Sequence, residues 1–322
     1  MQHKHKSQAY EKINDLIFKE LLKRGYYLEG NTRVWNLGDS KLWYLSSEQA
    51  QDYLNLEDEK QYKRDVTQKE IDLINNNLND ILRFVGNEPL NIIDIGCGDG
   101  RKAALFIEKL RGKVKLRYCP IDISSYMVEK AIARIKSMNV GEVVKFQWNI
   151  SDFENIENIT SLLRQGEFKK NLILLMGNTL GNFEIHELLY ELRSSMNSGD
   201  VLLIGNGLDN RHPEDIVKSY NSKFFDKFSF GPIKQLGLSE SDVEFGVRFR
   251  NSRIESFYTI KNPKTIRLLQ KEVRFEKGDQ IIVIISYKYA KDDFMSFLKM
   301  YFGSVELFVS KDGSYALALC KK

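Results

Sequence analysis

From Leu90 onward the chain repeats one rhythm: a short apolar run, a turn, and a stretch with apolar residues at helical spacing. "LNIIDIGCG" reads as a strand and its turn, and "RKAALFIEKLRG" as the following helix, closed by Gly112. "KVKLRYCPID" is the second strand, and "SSYMVEKAIARIKSM" opens on serines suited to an N-cap before continuing as an amphipathic helix. A third strand is expected in "EVVKFQWNISDF" with a short helix around "ITSLLRQG", a fourth in "NLILLMG" with the helix "EIHELLYELRSSM", and a fifth in "SGDVLLIGNG". Neighbouring parallel strands need crossover connections, so successive strand and helix units predict a doubly wound α/β fold around a mostly parallel sheet. The tail "DQIIVIISYKY", "DDFMSFLKMYFG", "SVELFVS" and "SYALALCKK" reads as strand, helix and a closing hairpin that turns at Lys311-Asp312-Gly313.

Two pieces break this rhythm. Residues 1–69 read as charged and helical, and residues 209 to about 280 as a helix followed by β-rich segments such as "VEFGVRFRN" and "SRIESFYTI". The expected division is a sheet unit over 70–208 plus 289–322, with a discontinuous lid from 1–69 plus 209–288. A chain of 322 residues, 42% hydrophobic, can bury cores for both.

Charge excludes rather than selects. Lys plus Arg number 48 against 44 Asp plus Glu, and the signs are interspersed, so no strong field for nucleic acid is present. The three cysteines, Cys97, Cys119 and Cys320, sit in or beside apolar runs and read as reduced packing thiols, which points to the cytoplasm. No window approaches the ~18 apolar residues of a membrane span. His3 and His5 flank Lys4 near the start and carry no metal reading.

The first turn, "DIGCGDGRK", places Gly96, Gly98 and Gly100 between a strand and a helix, where backbone N–H groups can approach a ligand closely. Their alternation differs from the dinucleotide fingerprint G-x-G-x-x-G. Asp94 precedes the turn, and Asp122 ends the second strand, where an acidic residue accepts from the ribose hydroxyls of an adenosine moiety. Asp152-Phe153 ends the third strand, with a carboxylate for an adenine amine and a ring to cover the base. Carboxylates on consecutive strand ends suit S-adenosylmethionine, and no metal-ligand set is read.

The pieces together resemble the histidine Nα-methyltransferases of ergothioneine biosynthesis and the fungal enzymes that N-methylate dimethylallyltryptophan. The resemblance runs from about residue 60 to the end. It rests on Gly96, Gly98 and Lys102, on Pro120-Ile121-Asp122-Ile123-Ser124, on Asp152-Phe153 and above all on Gly177-Asn178-Thr179-Leu180-Gly181-Asn182-Phe183. "SYNSKF" is similar to the family's helix with a substrate-facing tyrosine, and Ile284-Ile285-Ser286-Tyr287-Lys288-Tyr289 aligns with its Glu-hydrophobic-Ser-x-Lys-aromatic strand. The resemblance implies a Rossmann-like class I methyltransferase sheet with a substrate-binding lid. It also implies that Lys102 meets the cofactor's carboxylate, Asp122 its ribose, and Asp152 with Phe153 its adenine. Asn182 and Tyr220 would hold the backbone end of an amino acid, Gly177 would line the same site, and Ser286 would meet a side-chain heteroatom.

The departures bear on specificity. Ile284 stands where histidine-specific members carry the glutamate that pairs with imidazole, and an unpaired buried N–H costs about 1–3 kcal/mol. That is roughly a ten- to hundredfold penalty against histidine. The family's Tyr-Tyr-Pro-Thr-Arg segment is echoed only by "QYKRDVTQKEI", with Tyr62 the nearest candidate. Phe257 and Tyr258 either line a larger apolar pocket or pack in the core, the blander role. His186 and His212 match no site position. The expectation is an S-adenosylmethionine-dependent N-methyltransferase acting on the α-amine of a free amino acid or amino-acid-derived small molecule other than histidine. The alternatives are a methyltransferase of RNA or protein and a non-catalytic cofactor-binding protein. The expected partner is a small-molecule amine, with no nucleic acid and no membrane; oligomeric state is left open, a monomer being the simplest case.

Overall fold

A computed structural model of the chain describes residues 12–139, 141–146 and 153–322. A hairpin comes first, β1 (Tyr26–Glu29) and β2 (Thr32–Asn36), followed by β3 (Leu90–Ile95), β4 (Leu116–Ile121), β5 (Glu142–Val143), β6 (Lys170–Leu175) and β7 (Val201–Gly207). Then come β8 (Val243–Arg250), β9 (Arg253–Ile260), β10 (Lys264–Leu268), β11 (Lys271–Phe275), β12 (Gln280–Tyr287), β13 (Ser304–Val309) and β14 (Tyr315–Lys321).

The large sheet has the order β13-β14-β7-β6-β3-β4-β5. Strands β3 to β7 run parallel, and β14 runs antiparallel between β7 and β13. The chain steps outward from β3 to β4 and β5, then returns to lay β6 on the other flank of β3. That reversal makes a topological switch point, and ligands of open α/β sheets bind outside the carboxyl ends of the strands there.

Strand periodicity builds two cores from one sheet. Ile92, Leu172, Leu174 and Leu203 pack on one face, against Phe106 and Ile107 of the helix Arg101–Leu110 and Ile74 and Leu78 of the helix Gln68–Val85. Ile93, Ile173, Leu175 and Leu202 pack on the other, against the helices Ile156–Leu163, Ile185–Ser195 and Lys291–Tyr301. Each fully buried aliphatic or aromatic side chain of this kind contributes about 1.5–3 kcal/mol.

The second sheet, in the order β1-β2-β12-β9-β8, joins distant parts of the sequence, since β12 pairs in parallel with β2 at Val34 to Asn36. Its register with β9 shifts between Ile282 and Ile284, a bulge that re-aims the side chains beyond it. The hairpin β1–β2 corrects the helical reading of residues 1–69. Helices Ile13–Arg24 and Ser47–Asp58 are present, but "YYLE" and "TRVWN" pair around Gly30-Asn31, with Val34 buried beside Ile282 and Ile285 and Trp35 against Phe275. Of the expected third strand, Glu142–Val143 is strand and 144–146 are not, although the Val144 N–H still donates to the Tyr118 carbonyl at 2.9 Å; residues 147–152 lie outside the described residues. Among the described residues no helix is long and apolar enough to cross a membrane.

Candidate functional site

The turns after β3 and β6 face each other at the switch point and open a cleft of about 650 Å³. Gly98 in the first turn has φ +51° and nothing within 4 Å of where a side chain would begin, so backbone is presented bare to the cleft. Its N–H donates to Asp122 Oδ2 at 3.2 Å, and the Ser124 N–H donates to Oδ1 at 3.0 Å. Burial pushes the Asp122 carboxyl up to about 6 against the pull of these N–H groups. Behind it the Tyr118 hydroxyl donates to Asp94 at 2.8 Å, and burial lifts that carboxyl to about 7.

Gly96, Ile123, Met127, Phe153 and Phe183 complete this part of the lining, the two phenylalanine rings lying 4.7 Å apart. These groups suit an adenosine moiety: a carboxylate for ribose and apolar faces for the base. Asp152, expected to reach the adenine, lies outside the described residues.

Lys102, on the first turn of its helix, is already paired. Its Nζ lies 2.8 Å from Glu70 Oε2 and 3.4 Å from Glu57 Oε1, both side chains buried. Burial alone would lower the ammonium's pKa, but the two carboxylates outweigh it and hold the group above the usual lysine range. Glu70 also accepts from the Gly177 N–H at 2.8 Å and from the Tyr315 hydroxyl at 2.8 Å. The glycine-rich turn after β6 is thereby tied to the helix Gln68–Val85.

A second pocket of about 370 Å³ adjoins the first, and Tyr44, Tyr53, Gly177 and Asn182 line both. It gathers the remaining expected substrate residues: Tyr62 and Tyr220, their rings edge-on at 6.0 Å, with Ile284 and Ser286 from β12. Phe225 and Phe228 add an aromatic wall. Burial raises the phenol pKa values of Tyr44, Tyr53, Tyr62 and Tyr220, so all four stay protonated and able to donate. Among the described residues, neither these hydroxyls nor the Asn182 carboxamide has a hydrogen-bond partner.

Gly181 of the same turn serves packing. A side chain there would begin 2.7 Å from the Tyr287 carbonyl oxygen, so the glycine lets the turn pack against β12, bringing Asn182 beside Ser286. Phe257 and Tyr258 take the packing role: Tyr258 donates to Asp226 Oδ1 at 2.6 Å, and Phe257 lies under the Arg248 guanidinium at 4.6 Å. His186 meets the Tyr301 hydroxyl at 3.1 Å in an outer groove, and His212 caps the helix Pro213–Tyr220.

Sequence reasoning missed Glu57 and Glu70, which look like ordinary acids of amphipathic helices, and Tyr44 and Tyr53, which carry no local pattern. Lys288 was visible only as a motif position; its burial was not.

A family described as "Histidine-specific methyltransferase, SAM-dependent" matches residues 59–322. The N-methyltransferase fsqC of Aspergillus fumigatus is 24% identical over 262 residues, covering 77% of this chain and 70% of that protein. The N-methyltransferase imqF of Aspergillus flavus is 23% identical over 250 residues, covering 70% of this chain and 65% of that protein. Among solved structures, magnesium protoporphyrin IX methyltransferase of Synechocystis PCC 6803 aligns with a TM-score of 0.45 and 11% identity, over 87% of this chain and 96% of that one.

Proposed function

This chain belongs to the SAM-dependent, histidine-specific methyltransferase family, and from that premise we propose that it N-methylates the α-amine of a free amino acid or amino-acid-derived small molecule other than histidine. The observation that carries the reading is the place of Asn182, whose carboxamide lines both the cofactor-shaped cleft and the tyrosine-lined pocket. N-methylation is the activity named for the two fungal relatives.

In this reading Asp122 accepts from the ribose hydroxyls, Ile123, Met127 and Phe153 flank the adenine, and Lys102 beside Gly177 meets the carboxylate. When bound, S-adenosylmethionine supplies a methyl group on a sulfonium that is already an activated electrophile. The chain's own task is to present a neutral amine in line with that methyl, a positioning effect that can supply several kcal/mol of the barrier. The Asn182 carboxamide can accept from the amine and donate to the neighbouring carboxylate, and the phenols of Tyr220 and Tyr62 donate to that carboxylate. The amine's proton leaves to water. Residues 1–69 and 209–288 act as the lid, which furnishes Tyr53, Tyr220, Phe225, Phe228 and Ser286.

The test is S-adenosylhomocysteine release from a pool of free amino acids and aromatic amines, followed by the mass of the methylated product. Turnover is expected with at least one amine, and Asn182→Ala should lose roughly 100-fold in kcat/KM while still binding S-adenosylhomocysteine. Tight cofactor binding with no turnover of any amine would sink the proposal.

A further inference from the structure

Resting on that reading, we propose that the substrate's side chain carries an oxygen hydrogen-bond acceptor received by Ser286, with Lys288 behind Ser286 as a positioning residue. Ile284 and Ser286 stand at alternate positions beyond the bulge in β12, and Lys288 follows two residues on, just past the strand's end. Ile284 and Ser286 line the second pocket, while Lys288 is buried behind them.

Lys288 has no acidic partner among the described residues. Its Nζ lies 2.9 Å from Ser286 Oγ and 3.3 Å from the Tyr287 carbonyl, and it sits 5.6 Å from the centre of the Tyr220 ring. The charged group acting on it most is Arg211, another cation; burial first and Arg211 second push the amine down to about 7. The Lys288 Nζ donates to Ser286 Oγ, and whether charged or neutral it has N–H to give, so it occupies a lone pair of Ser286 and leaves the serine hydroxyl hydrogen free to point into the pocket. No described residue receives that hydrogen, and Ser286 faces the pocket.

The rest of the lining supplies donors of the same sense: the four phenols, and Trp43, whose buried indole N–H has no partner among the described residues. No carboxylate lines this pocket, because Ile284 stands where one would be needed to receive an imidazolium or an amine. A ligand oxygen at Ser286 would extend the chain Lys288 to Ser286 to ligand, in which each hydrogen bond polarises the next. A cationic or donor-bearing side chain would find no carboxylate among the described lining residues and would have to take a phenol or carboxamide oxygen instead.

The test uses the full chain and two shape-matched sets of free amino acids: glutamate, norleucine and ornithine, and the 4-acetyl, 4-isopropyl and 4-aminomethyl derivatives of phenylalanine. In any set turned over, the acceptor-bearing member should lead the apolar one by about tenfold or more in kcat/KM. Lys288→Met should bring those two members within about threefold of each other, mainly through KM, with binding of S-adenosylhomocysteine unchanged. Ser286→Ala, which leaves Lys288 in place, should level the same preference if the Lys288 variant does not fold. An apolar or cationic member leading, an equal loss across all members, or a preference surviving Ser286→Ala would overturn the inference. Should the broad amine screen score while no member of either set is turned over, the inference fails and the methyl-transfer reading stands.

Discussion

Glu70 holds Lys102 at 2.8 Å and, through the same carboxylate, takes the N–H of Gly177 and the hydroxyl of Tyr315. One buried ion pair thus ties together the helix that follows the first glycine turn, the turn after β6 and the C-terminal strand. Gly177, which it holds, lines both pockets.

Glu70→Gln keeps an acceptor for Gly177 but leaves the buried Lys102 ammonium with only the longer contact to Glu57. Breaking one partner of a buried pair costs about 3–5 kcal/mol. Urea denaturation should show a loss near the lower end of that range with an unchanged slope. A loss below about 1 kcal/mol would mean that Glu57 takes over the charge.

Gly181→Ala places a methyl group 2.7 Å from a backbone carbonyl of β12, which cannot rotate away. The lid strand should retreat from the turn, so kcat/KM falls by roughly tenfold or more while S-adenosylhomocysteine affinity, read by calorimetry, changes little. Equal losses in both would show that the turn itself had collapsed.

Cofactor affinity should depend on pH through Asp122, whose carboxyl is raised by burial to about 6. Ribose hydroxyls donate to the ionised form, so binding favours deprotonation and weakens as pH falls through that value, approaching tenfold per unit below it. Asp122→Asn should remove that dependence. An affinity flat from pH 7.5 to about 5 would remove Asp122 from the cofactor site.

Ile284→Glu puts a carboxylate in the second pocket, on the strand face it shares with Ser286. It should raise kcat/KM for histidine by about ten- to hundredfold, the cost otherwise incurred by an unpaired imidazole N–H. The same change should depress use of any acceptor-bearing substrate. Histidine turnover unaffected by the change would show that Ile284 does not face the side chain.

Much of this was legible in the sequence because it is local. Alternation in "LNIIDI" and "NLILLM" and the helical spacing of "RKAALFIEKL" announce the sheet and its covering helices before any contact is known. Turn chemistry marks the strand ends, so Gly96, Gly98 and Asp122 were nameable as site residues from the residues themselves, and Gly177 and Asn182 through the family resemblance. Reading the N-terminal segment as helical failed for a tertiary reason. The hairpin at "YYLEGNTRVWN" is stable only because β12, far along the chain, supplies its partner strand.

By itself, then, the sequence determined the doubly wound sheet, the carboxyl-end location of the site and the residue types available there, since period and turn propensity act over a few residues. Only the tertiary structure decided that Lys102 meets Glu70 and Glu57, that Gly181 makes room for Tyr287, and that Lys288 lies buried behind Ser286 without an acid. Periodicity says which face of an element is covered but not which distant side chain covers it. Inside a desolvated core that choice sets every charge and hydrogen bond.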